Sequence, residues 1–130
     1  MPNYCTMPGA IANADMSTMQ FSFVHLSESA SVDFEIQQST VGTERPIGIL
    51  MNAPTAAGQP AEVAISGIAQ LRFDGTIAQG GLIVCSSGGK GTANTTAVEE
   101  FIAAVSLQNG TATGVYFVQV FDPPYKKHTT

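Results

Sequence analysis

The longest strand pattern in the chain is AEVAISGIAQLRF, residues 61–73. Successive side chains of a strand point to opposite faces of a sheet. One face of this stretch carries Val63, Ile65, Gly67, Ala69, Leu71 and Phe73, and the other carries Glu62, Ser66, Gln70 and Arg72. Asp74-Gly75 follows and favours a tight hairpin turn. The pattern predicts a long strand that ends in a hairpin.

The preceding residues predict three shorter strands. Residues 19–26 and 31–37 alternate, the second with Val32, Phe34 and Ile36 on one face, and polar residues 27–30 between them predict a hairpin. Residues 46–51 are a short apolar run. Residues 52–60 contain Pro54, Gly58 and Pro60 and predict a loop.

Beyond the long strand, Gln79-Gly80-Gly81 predicts a turn into a strand at 82–85, and residues 86–96 are loop-like. Residues 98–107 fit either of two structures. A helix is favoured by apolar residues at helical spacing and by a capping box of Thr96 and Glu99. We favour a strand over residues 100–107, because Asn109-Gly110 would then join it to the apolar strand at 115–121 in the shortest connection.

Asp122-Pro123-Pro124 is predicted to end that last strand, because proline cannot donate to a strand ladder. The sum is an all-β fold, a small β-sandwich or barrel with at most one short helix. Residues 1–16 lack periodicity and contain Pro2, Pro8 and Gly9, which predicts an extended N-terminal arm. The β domain would cover residues 17–122, and residues 123–130 would form a C-terminal tail.

The composition offers little chemistry for an enzyme. The 130 residues include 2 His and 2 Cys, and charged residues make up 12%. His25 lies on an apolar strand face, His128 lies in the tail, and Cys5 and Cys85 are far apart, so neither a nucleophile–base pair nor metal-ligand spacing arises. We predict that the chain is not an enzyme, with no catalytic residues, no metal and no cofactor.

Charge and hydropathy also restrict the partners. The net charge is −5, which disfavours binding to nucleic acid or to an anionic membrane surface. No stretch of 18 apolar residues occurs, and residues 1–10 lack the basic and apolar regions of a secretory signal.

Residues 45–90 carry a more specific pattern. They contain Arg45-Pro46-Ile47-Gly48-Ile49-Leu50, then residues 57–69 with Gly58-Gln59-Pro60, then residues 75–84, and a Gly89-Lys90 turn. This order of glycine, proline and small apolar strands resembles the capsid decoration (cement) proteins of tailed phages.

The resemblance implies a β-rich structural virion protein, often a homotrimer, made in the host cytoplasm and placed on the outer surface of the mature capsid. There it would bind the major capsid protein and stabilise the head. Tyr4, Met7 and Ile11 are the large apolar residues of the predicted arm, and we expect them to bind the capsid or a neighbouring protomer. The alternative is a small β-sandwich module for binding a ligand or carbohydrate, or for adhesion.

Overall fold

The computed structural model describes residues 3–27, 32–41, 44–93 and 100–126. These residues form ten strands: β1 (Asn3–Thr6), β2 (Ile11–Ala12), β3 (Phe23–Leu26), β4 (Glu35–Gln38), β5 (Gly48–Leu50), β6 (Val63–Arg72), β7 (Leu82–Cys85), β8 (Gly91–Ala93), β9 (Phe101–Ser106) and β10 (Val115–Lys126). Their helical content is one 3₁₀ turn at Ser87–Gly89. The predicted all-β class is confirmed.

The strands follow the order β2-β4-β3-β5-β6-β10-β9-β7-β8, and β1 pairs with β6 outside this path. The sheet does not close into a barrel, because its two ends, β2 and β8, do not pair. β6 holds the two halves together: its start pairs with β5, and Gly67 to Arg72 pair with β10. The predicted long strand is therefore the centre of the fold.

Two apolar clusters fill the interior. The first contains residues from strands on both sides of β6 and includes Phe23, Ile49 and Leu71. The second includes Val24, Leu50 and Val63. Each of these is next in the chain to a residue of the first cluster, so its side chain points to the opposite face of the strand. Residues 23–25 of β3 and all of β5 are therefore buried on both faces, which explains why residues 46–51 are apolar without alternating.

The predicted hairpin of the first two strands is confirmed, because β3 and β4 pair antiparallel with Leu26 opposite Ile36. Its turn falls partly outside the described residues. The prediction that the second strand spans 31–37 is wrong, because β4 begins at Glu35. Phe34 adopts a left-handed conformation with φ 64°, which interrupts the alternation, and its side chain is 56% exposed.

The predicted hairpin at Asp74-Gly75 is also wrong. β7 pairs with β8 and β9, so the chain crosses from β6 to a distant part of the sheet. The Asp74 N–H donates to the Gly91 carbonyl, and its carboxylate accepts a hydrogen bond from Ser86. These hydrogen bonds attach Asp74 to the β7–β8 region, and the chain does not fold back on β6.

The strand interpretation of residues 100–107 is confirmed by β9, which covers Phe101–Ser106 and pairs antiparallel with β10. The predicted loop at 86–96 is wrong for 91–93, which form β8. The prolines do not end the last strand either. β10 continues to Lys126, and a register shift between Val120 and Tyr125 removes the prolines from the ladder with β9.

Candidate functional site

Residues 3–16 of the predicted N-terminal arm are described, and they pair with strands of the β domain. β1 pairs antiparallel with β6, so that Tyr4 lies opposite Gly67. The Tyr4 hydroxyl donates a hydrogen bond to the Glu62 carboxylate. This hydrogen bond, with burial and the charge of Glu62, raises the pKa of Tyr4 to about 12.

The other two predicted arm residues lie further along the same path. Met7 is half-buried against the second cluster, and its N–H donates to the Val63 carbonyl. Ile11 is half-buried and lies beside Glu35 in the parallel pair of β2 and β4. The three side chains do not form one cluster, since Tyr4 packs against the first cluster and Met7 against the second.

Between and after these residues, Ala10, Ala12 and Met16 are buried in the second cluster. The later part of the predicted arm thus contributes to the interior of the domain. Its role in binding a capsid or a protomer stays a prediction.

His25 is buried, and each of its ring nitrogens has a polar neighbour. Nδ1 lies 3.1 Å from the Ser39 hydroxyl, and Nε2 lies 3.5 Å from a Glu44 carboxylate oxygen. The other Glu44 oxygen accepts bonds from the N–H groups of Thr40 and Val41 and from the Thr40 hydroxyl. The ring therefore connects β3 to the segment that follows β4.

The pKa of Glu44 is lowered. Burial opposes its charge, but the Thr40 N–H, the neighbouring His25, the Thr40 hydroxyl and the Val41 N–H together outweigh burial. The lowered pKa favours the charged carboxylate of Glu44, and its hydrogen bonds hold that carboxylate in place.

The two cysteines are free and differ in exposure. Cys5 is exposed on β1, and Cys85 is buried. Burial, with the charges of Glu44 and Glu100, raises the pKa of the Cys85 thiol to about 12, so the thiolate is strongly disfavoured at neutral pH. Within the described ranges no group of three or more His, Cys, Asp or Glu side chains is placed to hold a metal ion. No helix in this part of the chain is long and apolar enough to cross a bilayer.

One concavity is a groove of about 460 Å³ where the two halves of the sheet separate. β6 pairs with β10 only as far as Gly67 opposite Val120, and nearer its start it pairs with β5. The gap is lined by apolar residues of several elements, namely Leu26, Pro46, Ile47, Ile65 and Pro124, and by the polar residues His25, Glu44, Arg45 and Asp122. We call it the sheet groove.

A second, more open groove of about 510 Å³ lies on the neighbouring surface and also includes Asp122. Phe121 and Tyr125 line it, with ring centroids 5.9 Å apart. Tyr125 is 49% exposed. We call it the aromatic groove.

Sequence reasoning missed both grooves. The residues of the sheet groove are separated by as many as 99 positions, from His25 to Pro124, and meet only through the strand order. The one local signal is Asp122-Pro123-Pro124, whose prolines predict a strand end and which lies within the register shift of β10 between Val120 and Tyr125.

A third surface is the outer face of β6, β10, β9 and β7. Strand register places Ile68, Gln119, Val105 and Leu82 in one row, and Phe117 opposite Gln70 in the next. Directly opposite residues of antiparallel strands share a face. Ile68 and Leu82 are 38% and 39% exposed, and none of these six residues is charged. We call these six residues the outer face.

Comparison with protein-family models finds no match for the chain, and comparison with curated proteins finds none either. Among solved structures, the chain is similar to the head fiber gp8.5 N base of bacteriophage phi29. The TM-score is 0.65, and the match covers 97% of this chain and 99% of that chain at 12% sequence identity. The two chains therefore share a fold over almost their whole lengths.

Proposed function

We propose that this chain is a structural virion protein that binds the outer surface of the mature head of a tailed phage and stabilises it. The observation that carries the proposal is the fold shared with a phage head fiber base over 97% of this chain and 99% of the other. The resemblance of residues 45–90 to capsid decoration proteins points to the same class independently. We further propose that the partner is the major capsid protein, and that the chain is made in the host cytoplasm before it joins the virion.

The surfaces of the domain suit such a role. A binding protein on a shell needs surfaces that reach a partner, and the two grooves and the outer face are exposed to solvent. Many identical copies on one shell then act together, so each contact can be modest. A protein that binds only the assembled lattice stabilises that lattice by mass action.

We assign the outer face to contacts between copies of this chain and propose a homotrimer. Ile68, Leu82 and Val105 form a contiguous uncharged surface on strands that are buried on their other side. An exposed apolar surface of this kind typically marks a protein–protein contact.

The test is co-sedimentation of the purified chain with expanded capsid shells of the phage and, in parallel, with compact precursor shells. We expect saturable binding to expanded shells and little binding to precursors, because expansion rearranges the subunits on the outer surface. Failure to pellet with either shell at concentrations far above micromolar would contradict the proposal. Binding to soluble glycans in place of shells would favour the ligand-binding or adhesion alternative.

A further inference from the structure

We propose that Asp122 and the two grooves beside it form a docking site for one lysine or arginine side chain of the capsid shell, together with an apolar residue next to it. The inference rests on the proposed function, because it names the chemistry by which the shell would be recognised.

Asp122 is placed to bind a cation. It is exposed, it lies where the ladder shifts between Val120 and Tyr125, and it lines both grooves. The described part of the chain offers its carboxylate neither a salt bridge nor a hydrogen bond. An available carboxylate at a junction of two concave surfaces favours a positively charged occupant.

The aromatic groove favours the same charge. The faces of aromatic rings attract cations within about 6 Å, by about 0.5–1 kcal/mol at exposed sites. The Phe121 and Tyr125 rings line the same groove as Asp122, and their centroids lie 5.9 Å apart. A lysine or arginine head that reaches Asp122 through this groove would meet ring carbons as well as the carboxylate.

The sheet groove supplies the apolar part. Leu26, Ile47 and Ile65 line it, and Leu26 is 45% exposed. An apolar side chain buried between these residues would leave water, which favours binding. The sheet groove therefore suits the apolar residue that lies beside the basic residue in the partner chain.

The remaining charges of the sheet groove limit the occupant to a single cation. Glu44 adds a second carboxylate, which its bonds to residues 40 and 41 hold in place. Arg45 lines the same groove, and no salt bridge between it and Asp122 or Glu44 is found among the described residues. Arg45 would repel a polycation, so one basic residue within an apolar segment fits better than a basic run.

Asp122→Asn tests the charge with little change in shape. Asp33→Asn is the matched control, because Asp33 is an exposed carboxylate that lines neither groove. We expect Asp122→Asn to weaken co-sedimentation with expanded shells about 3- to 5-fold per site and Asp33→Asn to change it less than about 2-fold. Raising NaCl from about 50 mM to about 500 mM should weaken wild-type binding and affect Asp122→Asn much less.

Leu26→Ala completes the test and should weaken binding while keeping the salt dependence. Equal binding of wild type and Asp122→Asn would refute the docking site and leave the proposed function intact. Failure of the wild type to bind shells would remove both. If Asp122→Asn keeps shell binding but changes the mass in light scattering, the occupant is a second copy, which also refutes the inference. Tighter shell binding by a chain ending at Lys126 would instead identify residues 127–130 as the occupant and refute it too.

Discussion

Replacing Gly67 with alanine separates the contribution of β1 from that of the rest of the domain. Gly67 lies in the middle of β6 with φ 95°, a conformation that alanine adopts only with strain. A Cβ atom there would lie 2.5 Å from the Asn3 carbonyl oxygen and 2.9 Å from the Tyr4 Cα. Both distances are far below van der Waals contact, and both atoms belong to the backbone of β1.

Two costs therefore add. The positive φ costs about 1–2 kcal/mol for a residue with a Cβ. The clash is relieved when β1 leaves β6, so its cost cannot exceed what β1 contributes. β1 pairs with β6 through four residues, and three of them, Asn3, Cys5 and Thr6, are exposed. After the entropy cost of ordering the strand is subtracted, the hydrogen bonds of β1 stabilise the folded protein by about 1–2 kcal/mol. We expect Gly67→Ala to destabilise the protein by about 2–4 kcal/mol in total.

Gly80→Ala is the matched control. Gly80 has φ 84° and no atom within 4 Å of an added Cβ, so its substitution carries the strain without the clash. The assay is urea unfolding of both variants in the full chain and in a chain that begins at Met7, which lacks β1. The excess cost of Gly67→Ala over Gly80→Ala should be about 1–2 kcal/mol in the full chain and should vanish without β1. Equal costs in the full chain would refute the pairing of β1 with β6.

Four further predictions concern charge, association and the shell. Glu44→Gln should destabilise the protein above about pH 4.5 and flatten its acid unfolding curve. The folded pKa of Glu44 is lowered, so its stabilisation is present above the unfolded pKa and is lost as pH falls through the folded pKa. Tyr4→Phe should remove one tyrosine titration near pH 12, measured by absorbance at about 295 nm. Because the folded pKa of Tyr4 is raised, its contribution to folding stability is complete below about pH 10 and is lost as pH rises to about 12. Leu82→Asp should shift light scattering from a trimer to the 13.5 kDa monomer, whereas Val41→Asp, an equally exposed apolar residue away from the outer face, should not. Heads saturated with the chain should release DNA at a higher temperature than bare heads, and identical release curves would remove the stabilising role while leaving surface binding.

The sequence predicts strands well where one face is apolar and the other polar. Residues 61–73 show this for the strand itself, since β6 covers Val63–Arg72. The single apolar face predicted for it is wrong, because Val63 packs in the second cluster whereas Ala69 and Leu71 pack in the first. A register shift in the β1–β6 pairing between residues 64 and 66 of β6 interrupts the alternation. Residues 101–106 were ambiguous between helix and strand, and the deciding factor was the neighbouring strand with which they could pair.

The pairing partners could not be predicted from local patterns. Asp74-Gly75 has the composition of a hairpin turn, yet β6 is flanked by β5, β10 and β1, because burying both clusters requires those neighbours. The exposed, left-handed Phe34 interrupts an alternation that the sequence shows as continuous. Both grooves depend on the same long-range order, so no spacing along the chain identifies Asp122 as their shared residue.

Electron cryomicroscopy of expanded shells incubated with a saturating amount of the chain would show whether the chain binds the outside of the head. We expect regular density on the outer surface that fits the described domain, with the groove at Asp122 against a basic side chain of the shell. Shells that remain bare at saturation, or density confined to the interior, would contradict it.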